Sequence, residues 1–214
     1  MLYFDIGANV GRWSLENINN CEKIIAVEAS SEIYQKLIKR CDGKNIICLN
    51  YAVCNRPDYE EIQFYENNCI STINKDWLCS EQSRFFNRPY KETTAKTIRL
   101  DTLIEQYGKP DLIKIDVEGA EYLVISSLTQ KINTICFEWT QEFSSIAKDC
   151  IKYLSSIGFT KFYVHPNGLP SFHPSEEEYT EDLEKIEEKL KEERITIREI
   201  DNMKISAWGM IWAK

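Results

Sequence analysis

Apolar residues in this chain gather in short continuous runs, separated by segments with helical spacing. Leu2–Ile6, Lys23–Glu28 and Asn45–Leu49 read as strands buried on both faces, because their apolar positions are contiguous rather than alternating. Val10–Glu16 begins a helix after the first. After the second, Ile33, Leu37 and Cys41 recur at spacings of four, and Ser30 or Ser31 can cap the helix they define. This β-α-β-α-β alternation predicts a parallel sheet with right-handed crossovers.

The same rhythm resumes later. D-L-I-K-I-D at 111–116 and N-T-I-C-F-E at 133–138 are two more strands, each ending in a carboxylate. Helical patterns follow at Ala120–Leu128 and Ser144–Ile157, the second stopped by Gly158. Lys161–Val164 and Ile205–Trp212 supply the last two strands. The prediction is an α/β fold: a Rossmann-like sheet of seven strands, the last antiparallel, with helices on both faces.

Two regions break the rhythm. Residues 55–99 are irregular: Ile62–Tyr65 alternates like an edge strand, Thr97–Leu100 can pair with it, and Trp77, Phe85 and Phe86 lie between. Such an aromatic stretch is too apolar for a linker and reads as a small inserted hairpin, either a lid or a packed edge. Further on, Ser175 opens a helix with Glu178 completing a capping box. Tyr179, Leu183, Ile186 and Leu190 give that acidic helix, spanning 175–194, one apolar stripe.

At 214 residues the chain suits a single domain, 1–214, with a real core. Of the net charge of −8, most falls between Glu176 and Asp201, where 12 acidic residues face 5 basic ones. That acidic face is read as solvated. The remainder is nearly neutral and lacks a basic stripe, which argues against nucleic acid as partner. No apolar run approaches the ~20 residues of a membrane span. The eight cysteines are scattered without a C-x-x-C pair, and Cys48 and Cys136 sit inside apolar strands, which fits a reducing, cytoplasmic compartment. Met1 leads almost directly into the first strand, as expected of a minimal module, one domain of a longer polypeptide.

The chemistry concentrates where the first strand turns into a helix, at Asp5-Ile6-Gly7-Ala8-Asn9-Val10-Gly11. Gly7 permits a tight turn, Gly11 permits close packing against a strand or a ligand, and the helix N-terminus offers free N–H groups. A dinucleotide fingerprint would carry a middle glycine where Asn9 stands. Asp5 would repel a pyrophosphate but suits a ligand with a cationic amino group, as in S-adenosylmethionine. Glu28, 17 residues after Gly11, is placed to accept hydrogen bonds from ribose hydroxyls. An NAD-linked oxidoreductase is disfavoured by Asp5 and Asn9.

F-D-I-G-A-N-V-G at 4–11, A-V-E-A at 26–29, Asn50–Val53, L-D-T-L at 100–103, D-L-I-K-I-D-V-E-G-A-E at 111–121 and Glu138 together resemble the FkbM family of methyltransferases over residues 2–139. The resemblance implies a class I methyltransferase sheet and methyl transfer from S-adenosylmethionine to oxygen, commonly a hydroxyl of a sugar or glycan. It implies that Asp5, Gly7, Ala8, Asn9 and Gly11 form the cofactor loop, that Glu28 holds the ribose, and that Ala29, Ser30 and Ala52 flank the adenine. Asp116 would stand beside the methyl group. Phe172–Asp201 departs from the family pattern.

Transfer to an alcohol needs alignment and removal of one proton, by a base or by a metal that acidifies the hydroxyl. Asp116 is the first candidate for base or divalent-metal ligand, and Glu138 the second. Asp116, Glu118 and Glu138 fall at strand ends on the face where α/β sheets bind ligands. The plain alternative for Glu118 and Glu121 is a helix-start acid interacting with the macrodipole, which is favoured for Glu121. His165, in the Pro/Gly-rich stretch 165–174, is a third candidate base if that loop overhangs the acceptor. Lys114 inside an apolar strand calls for a carboxylate partner. Trp13, Trp77 and Trp139 can stack on a sugar, though core packing is their ordinary role. The rival readings are the same chemistry on a small metabolite, lipid or peptide, and a non-catalytic nucleoside-binding module. Asp116 and Glu138 speak against the latter, since a degenerate copy could lose them.

Overall fold

The computed structural model describes residues 1–67, 70–166, 173–191, 196–198, 203–205 and 207–214. Strands β1 (Leu2–Ile6), β2 (Lys23–Val27) and β3 (Ile46–Leu49) alternate with helices α1 (Arg12–Asn17) and α2 (Ser31–Cys41). An inserted segment follows: β4 (Ala52–Val53), β5 (Glu61–Glu66), α3 (Asp76–Cys79) and β6 (Lys91–Ile98). Then come α4 (Leu100–Tyr107), β7 (Leu112–Ile115), α5 (Glu121–Ile125), β8 (Thr134–Thr140), α6 (Ser144–Ser156) and β9 (Phe162–Pro166). The chain ends with α7 (Leu183–Lys191), a hairpin of β10 (Thr196–Arg198) and β11 (Met203–Ile205), and β12 (Trp208–Ala213).

Seven strands form one sheet in the order β3-β2-β1-β7-β8-β12-β9. All pairings from β3 to β8 are parallel, while β12 inserts antiparallel between β8 and β9. The contiguous apolar runs explain this arrangement. Phe4 and Ile6 on one face of β1, and Tyr3 on the other, are all covered, so each central strand needs helices above and below. Residues of α4, α5 and α6, among them Leu103, Val124 and Leu154, pack with Phe4 and Phe137 on one side. Trp13 of α1 and Leu37 of α2 pack with Tyr3 and Ile24 on the other.

Strand order reverses between β1 and β7, which run parallel: β2 and β3 lie to one side of β1, and β7 and β8 to the other. At such a switch point the loops leaving adjacent strands diverge and leave a crevice at the strands' C-terminal ends.

The insertion is a separate three-stranded sheet in the order β4-β6-β5. The expected pairing of Ile62–Tyr65 is present, opposite Glu92–Ala95 rather than Thr97–Leu100, and Leu100 instead begins α4. The segment between β5 and β6 folds back over the main sheet. Asn74 Nδ2 donates to the Gly119 carbonyl at 2.8 Å, Trp77 packs on Phe143, and Arg84 forms a two-pronged, largely buried ion pair with Glu142.

The acidic segment differs from the single helix its pattern predicts. The Ser175–Glu178 capping box is formed, but it opens only the 3-10 turn Glu176–Glu178. Thr180 pairs with Phe162 at the sheet edge, and the α-helix restarts at Leu183. Ile186 and Leu190 are buried as the stripe requires, whereas Leu183 is exposed. Residues 167–172 and 192–195, where the Pro/Gly-rich loop and the end of that helix were expected, lie outside the described residues.

Candidate functional site

Gly7 follows β1 with φ +74°, and its N–H and that of Ala8 both donate to the Val27 carbonyl at 3.0 Å. A side chain at Gly7 would collide with the Asp116 carbonyl oxygen, so this glycine lets the ends of β1 and β7 meet. Gly11, also left-handed at φ +77°, packs instead against Leu37 and Cys41 of α2. The loop is fastened by Glu28: its Oε2 accepts the Asn9 N–H at 2.9 Å, and its Oε1 accepts the Ser30 N–H at 2.8 Å. Burial raises the Glu28 pKa, and the two N–H groups oppose that rise.

Together these elements wall a cavity of about 190 Å³. Of the residues expected to bind the cofactor, Gly7, Asn9, Glu28, Ala29, Ala52 and Asp116 line it. Ala8 and Gly11 stand behind the wall as buried loop residues. Ser30 also stands behind it, accepting the Ile33 N–H to cap α2 and donating to Glu66 of β5. The insertion contributes Phe64, Thr72 and Ile73 to the roof, so it is a cover rather than a remote edge. Local patterns did not mark these residues, because their place depends on how the insertion folds back.

Asp5 has a different place from the one expected. It is fully buried, accepts from Ser14 Oγ at 2.6 Å, and pairs with Lys114 Nζ at 3.2 Å. Lys114, itself buried, also reaches Asp116 at 3.5 Å and donates to the Gly7 carbonyl at 3.1 Å. Burial alone would lower the lysine's pKa, but Asp5 and Asp116 hold it above the ordinary value. Asp5 therefore acts on the loop through Lys114 and does not face the cavity.

On the other side of Asp116 lies a group of acids. One carboxylate oxygen from each of Asp116, Glu118 and Glu138 falls within 4.8 Å of the others. Glu118 is held at φ +57° in the turn before α5. Burial raises its pKa first, and the charges of Asp116 and Glu121 add to the rise. Glu138 is raised for the same reasons, burial first, then Asp116, Glu118 and Glu121. Glu121 Oε1 accepts the N–H groups of Val117 and Gly119 at 3.3 and 3.2 Å, a helix-start role, and burial pushes its pKa up to about 7.

His165 lies in β9 rather than in a loop. It pairs with Met210 of β12, which in turn pairs with Glu138, so two strand spacings, ~10 Å, separate it from the acids. Its Nδ1 is 3.2 Å from the Tyr163 hydroxyl. Trp13, Trp77 and Trp139 are all buried, which makes them packing residues rather than open platforms for a sugar. The described cysteines are all free, and among the described residues no helix is long and apolar enough to cross a membrane.

With this geometry in hand, comparison with known proteins identifies the class. Residues 5–161 match the methyltransferase FkbM domain, well over half of the chain. The chain belongs to the FkbM family, whose members are S-adenosylmethionine-dependent methyltransferases. A search of curated proteins found no match. Among solved structures it resembles precorrin-6y C5,15-methyltransferase from Geobacter metallireducens, at TM-score 0.50 and 12% identity, over 100% of this chain and 79% of that one. Fibrillarin from Aeropyrum pernix, in complex with S-adenosyl-L-methionine, scores 0.48 at 11% identity over 99% and 65%. A SAM-dependent O-methyltransferase from Thermotoga maritima scores 0.46 at 11% identity over 99% and 58%. At 12% identity the precorrin methyltransferase speaks to the fold alone: the Rossmann-like sheet of class I methyltransferases.

The residues present fit the cofactor. Gly7, Asn9 and Glu28 line the cavity, and Glu28 has lone pairs beyond its two backbone bonds. Glu28→Gln is expected to weaken S-adenosylmethionine binding by ~10-fold or more, measured by calorimetry. An amide offers one accepting oxygen, so either the Asn9 or the Ser30 N–H would face an NH2 group and lose its partner.

Proposed function

We propose that this protein is an O-methyltransferase acting on a hydroxyl of a sugar or glycan, such as a deoxysugar. The observation that carries the reading is the meeting of Asp116 after β7, Glu118 in the turn before α5 and Glu138 within β8, beside the Glu28 cavity. S-adenosylmethionine supplies a methyl group on a cationic sulfonium with an excellent leaving group. What remains for the protein is to align an acceptor oxygen and take its proton. Asp116, on the cavity wall, is placed to orient the hydroxyl and receive that proton, with Glu138 behind it. His165, two strands away, is the weakest of the three candidates. The concentration of acids disfavours a phosphodiester acceptor, in keeping with a net charge of −8. We place this activity in one domain, residues 1–214, in a reducing, cytoplasmic compartment, in line with the free cysteines.

The test is incubation with methyl-labelled S-adenosylmethionine and a panel of deoxysugar glycans, a glycolipid, a peptide, a small polyol and RNA. Label is expected on the sugar-bearing acceptors, and Asp116→Asn is expected to lower kcat by ~10²–10⁴-fold. Label on RNA or peptide alone would overturn the acceptor class. Cofactor binding without transfer to any acceptor would favour a nucleoside-binding module.

A further inference from the structure

We propose that Asp116, Glu118 and Glu138 form a site for one divalent cation of the magnesium, manganese or calcium type, beside the cofactor cavity. Three carboxylates from three different positions, the end of β7, the turn before α5 and the body of β8, bring one oxygen each within 4.8 Å of the others. An all-oxygen donor set selects hard cations. Oxygens facing each other across Ca²⁺ lie ~4.6–5.2 Å apart, and across Mg²⁺ ~4.0–4.2 Å. Mutual distances of no more than 4.8 Å therefore fall within the span of oxygens around one such ion.

Acids often cluster without a ligand, so the decisive observation is at Glu138. Part of this residue opens to the pocket, yet its Oε2 atom is sealed from solvent and has no hydrogen-bond donor among the described residues. A carboxylate oxygen taken out of water without a partner is a costly state, and a cation removes the cost. The nearby cations are committed elsewhere. Lys114 is held by Asp5, Asp116 and the Gly7 carbonyl, and Arg84 is engaged with both oxygens of Glu142. Glu121 turns its Oε1 to the N–H groups of Val117 and Gly119, so it adds negative charge nearby without closing the site.

Asp116 and Glu118 line the cofactor cavity, while Glu138 lines the small adjoining pocket beside Gly119 and Trp77. An ion at that boundary would keep a coordination position for an acceptor hydroxyl and acidify it. That catalytic meaning rests on the methyl-transfer reading; the existence of the site does not.

Terbium(III), an oxygen-seeking luminescent stand-in, tests the site on the intact, EDTA-stripped protein, with excitation through tryptophan. Trp77 lies against Gly119, and Trp139 follows Glu138. The expected result is one saturable emission, displaced by Mn²⁺ or Mg²⁺ and weakened at least ~10-fold in Glu138→Gln and in Glu118→Gln. Glu105→Gln, exposed on α4, should leave it unchanged. Circular dichroism checks that each variant folds, and either acid variant suffices if the other does not. No emission, or emission indifferent to both acid variants, overturns the cation site. Calorimetry with S-adenosylmethionine on the same samples separates the two readings, since loss of cofactor binding by the unmodified protein would sink the methyltransferase reading instead.

Discussion

Gly7→Ala is expected to abolish S-adenosylmethionine binding and to destabilise the fold by about 2–5 kcal/mol. The alanine Cβ would lie 1.8 Å from the Asp116 carbonyl oxygen and 2.8 Å from its carbon. Both are backbone atoms at the end of β7, so no rotamer change can relieve the clash. The Asp116 N–H donates to the Ile6 carbonyl at 3.0 Å, and Ile6 sits in register with Ile115. Relief therefore requires β1 and β7 to part at the edge of the cofactor cavity, the point where Asn9 and Glu28 must stay joined. The left-handed conformation adds ~1–2 kcal/mol to the ~1–3 kcal/mol of forced packing. Gly43→Ala is the control: its φ is +69°, but no atom lies within 4 Å of the added carbon, so only the conformational cost should appear. Denaturant unfolding and calorimetry read both effects. A Gly7→Ala protein that binds the cofactor within about threefold of the unmodified chain would contradict the close β1–β7 contact as the basis of the site.

That contact shows what local pattern can and cannot carry. The buried strands, the helices on both faces and the turn at Gly7 follow from contiguous apolar runs and from glycine at a strand end, which are features of neighbours in sequence. Helix α4 is equally legible in Leu100, Leu103 and Ile104, whose i, i+3, i+4 spacing outweighs the strand-like look of 97–100. Other features depend on distant pairings. The two residues of β4 pair with β6, more than 40 positions later, and no local pattern announces such a strand. The acidic segment carries a real capping box and a real stripe, but the pairing of Thr180 with Phe162 divides it, a case of tertiary contact overriding helix propensity. His165 stands before proline and glycine, where a loop is the natural reading, yet β9 continues through it against β12. The gathering of Asp116 with Glu138 is readable from the two carboxylates that follow the apolar runs of neighbouring strands, although β8 continues past Glu138 to Thr140. The role of Asp5 was not, because it depends on the register that sets Asp5 opposite Lys114.

Lys114→Met is accordingly expected to cost about 3–5 kcal/mol, more than a methionine's fit in an apolar strand would suggest. Lys114 answers Asp5, which has no exposed surface and whose other oxygen accepts from Ser14 Oγ. Removing the ammonium strands a charge in the sheet interior, and that uncompensated charge, rather than the lost ion pair itself, dominates the cost. The double variant Asp5→Asn/Lys114→Met removes the stranded charge and should recover at least half of the loss in a denaturant-unfolding cycle. Equal destabilisation in the single and double variants would show that packing, and not charge, makes Lys114 necessary. The same lysine joins the two parts of the candidate site, since it holds both the Gly7 carbonyl and Asp116. A variant that folds without it should therefore lose cofactor affinity and turnover together, whereas Glu28→Gln should act on affinity first.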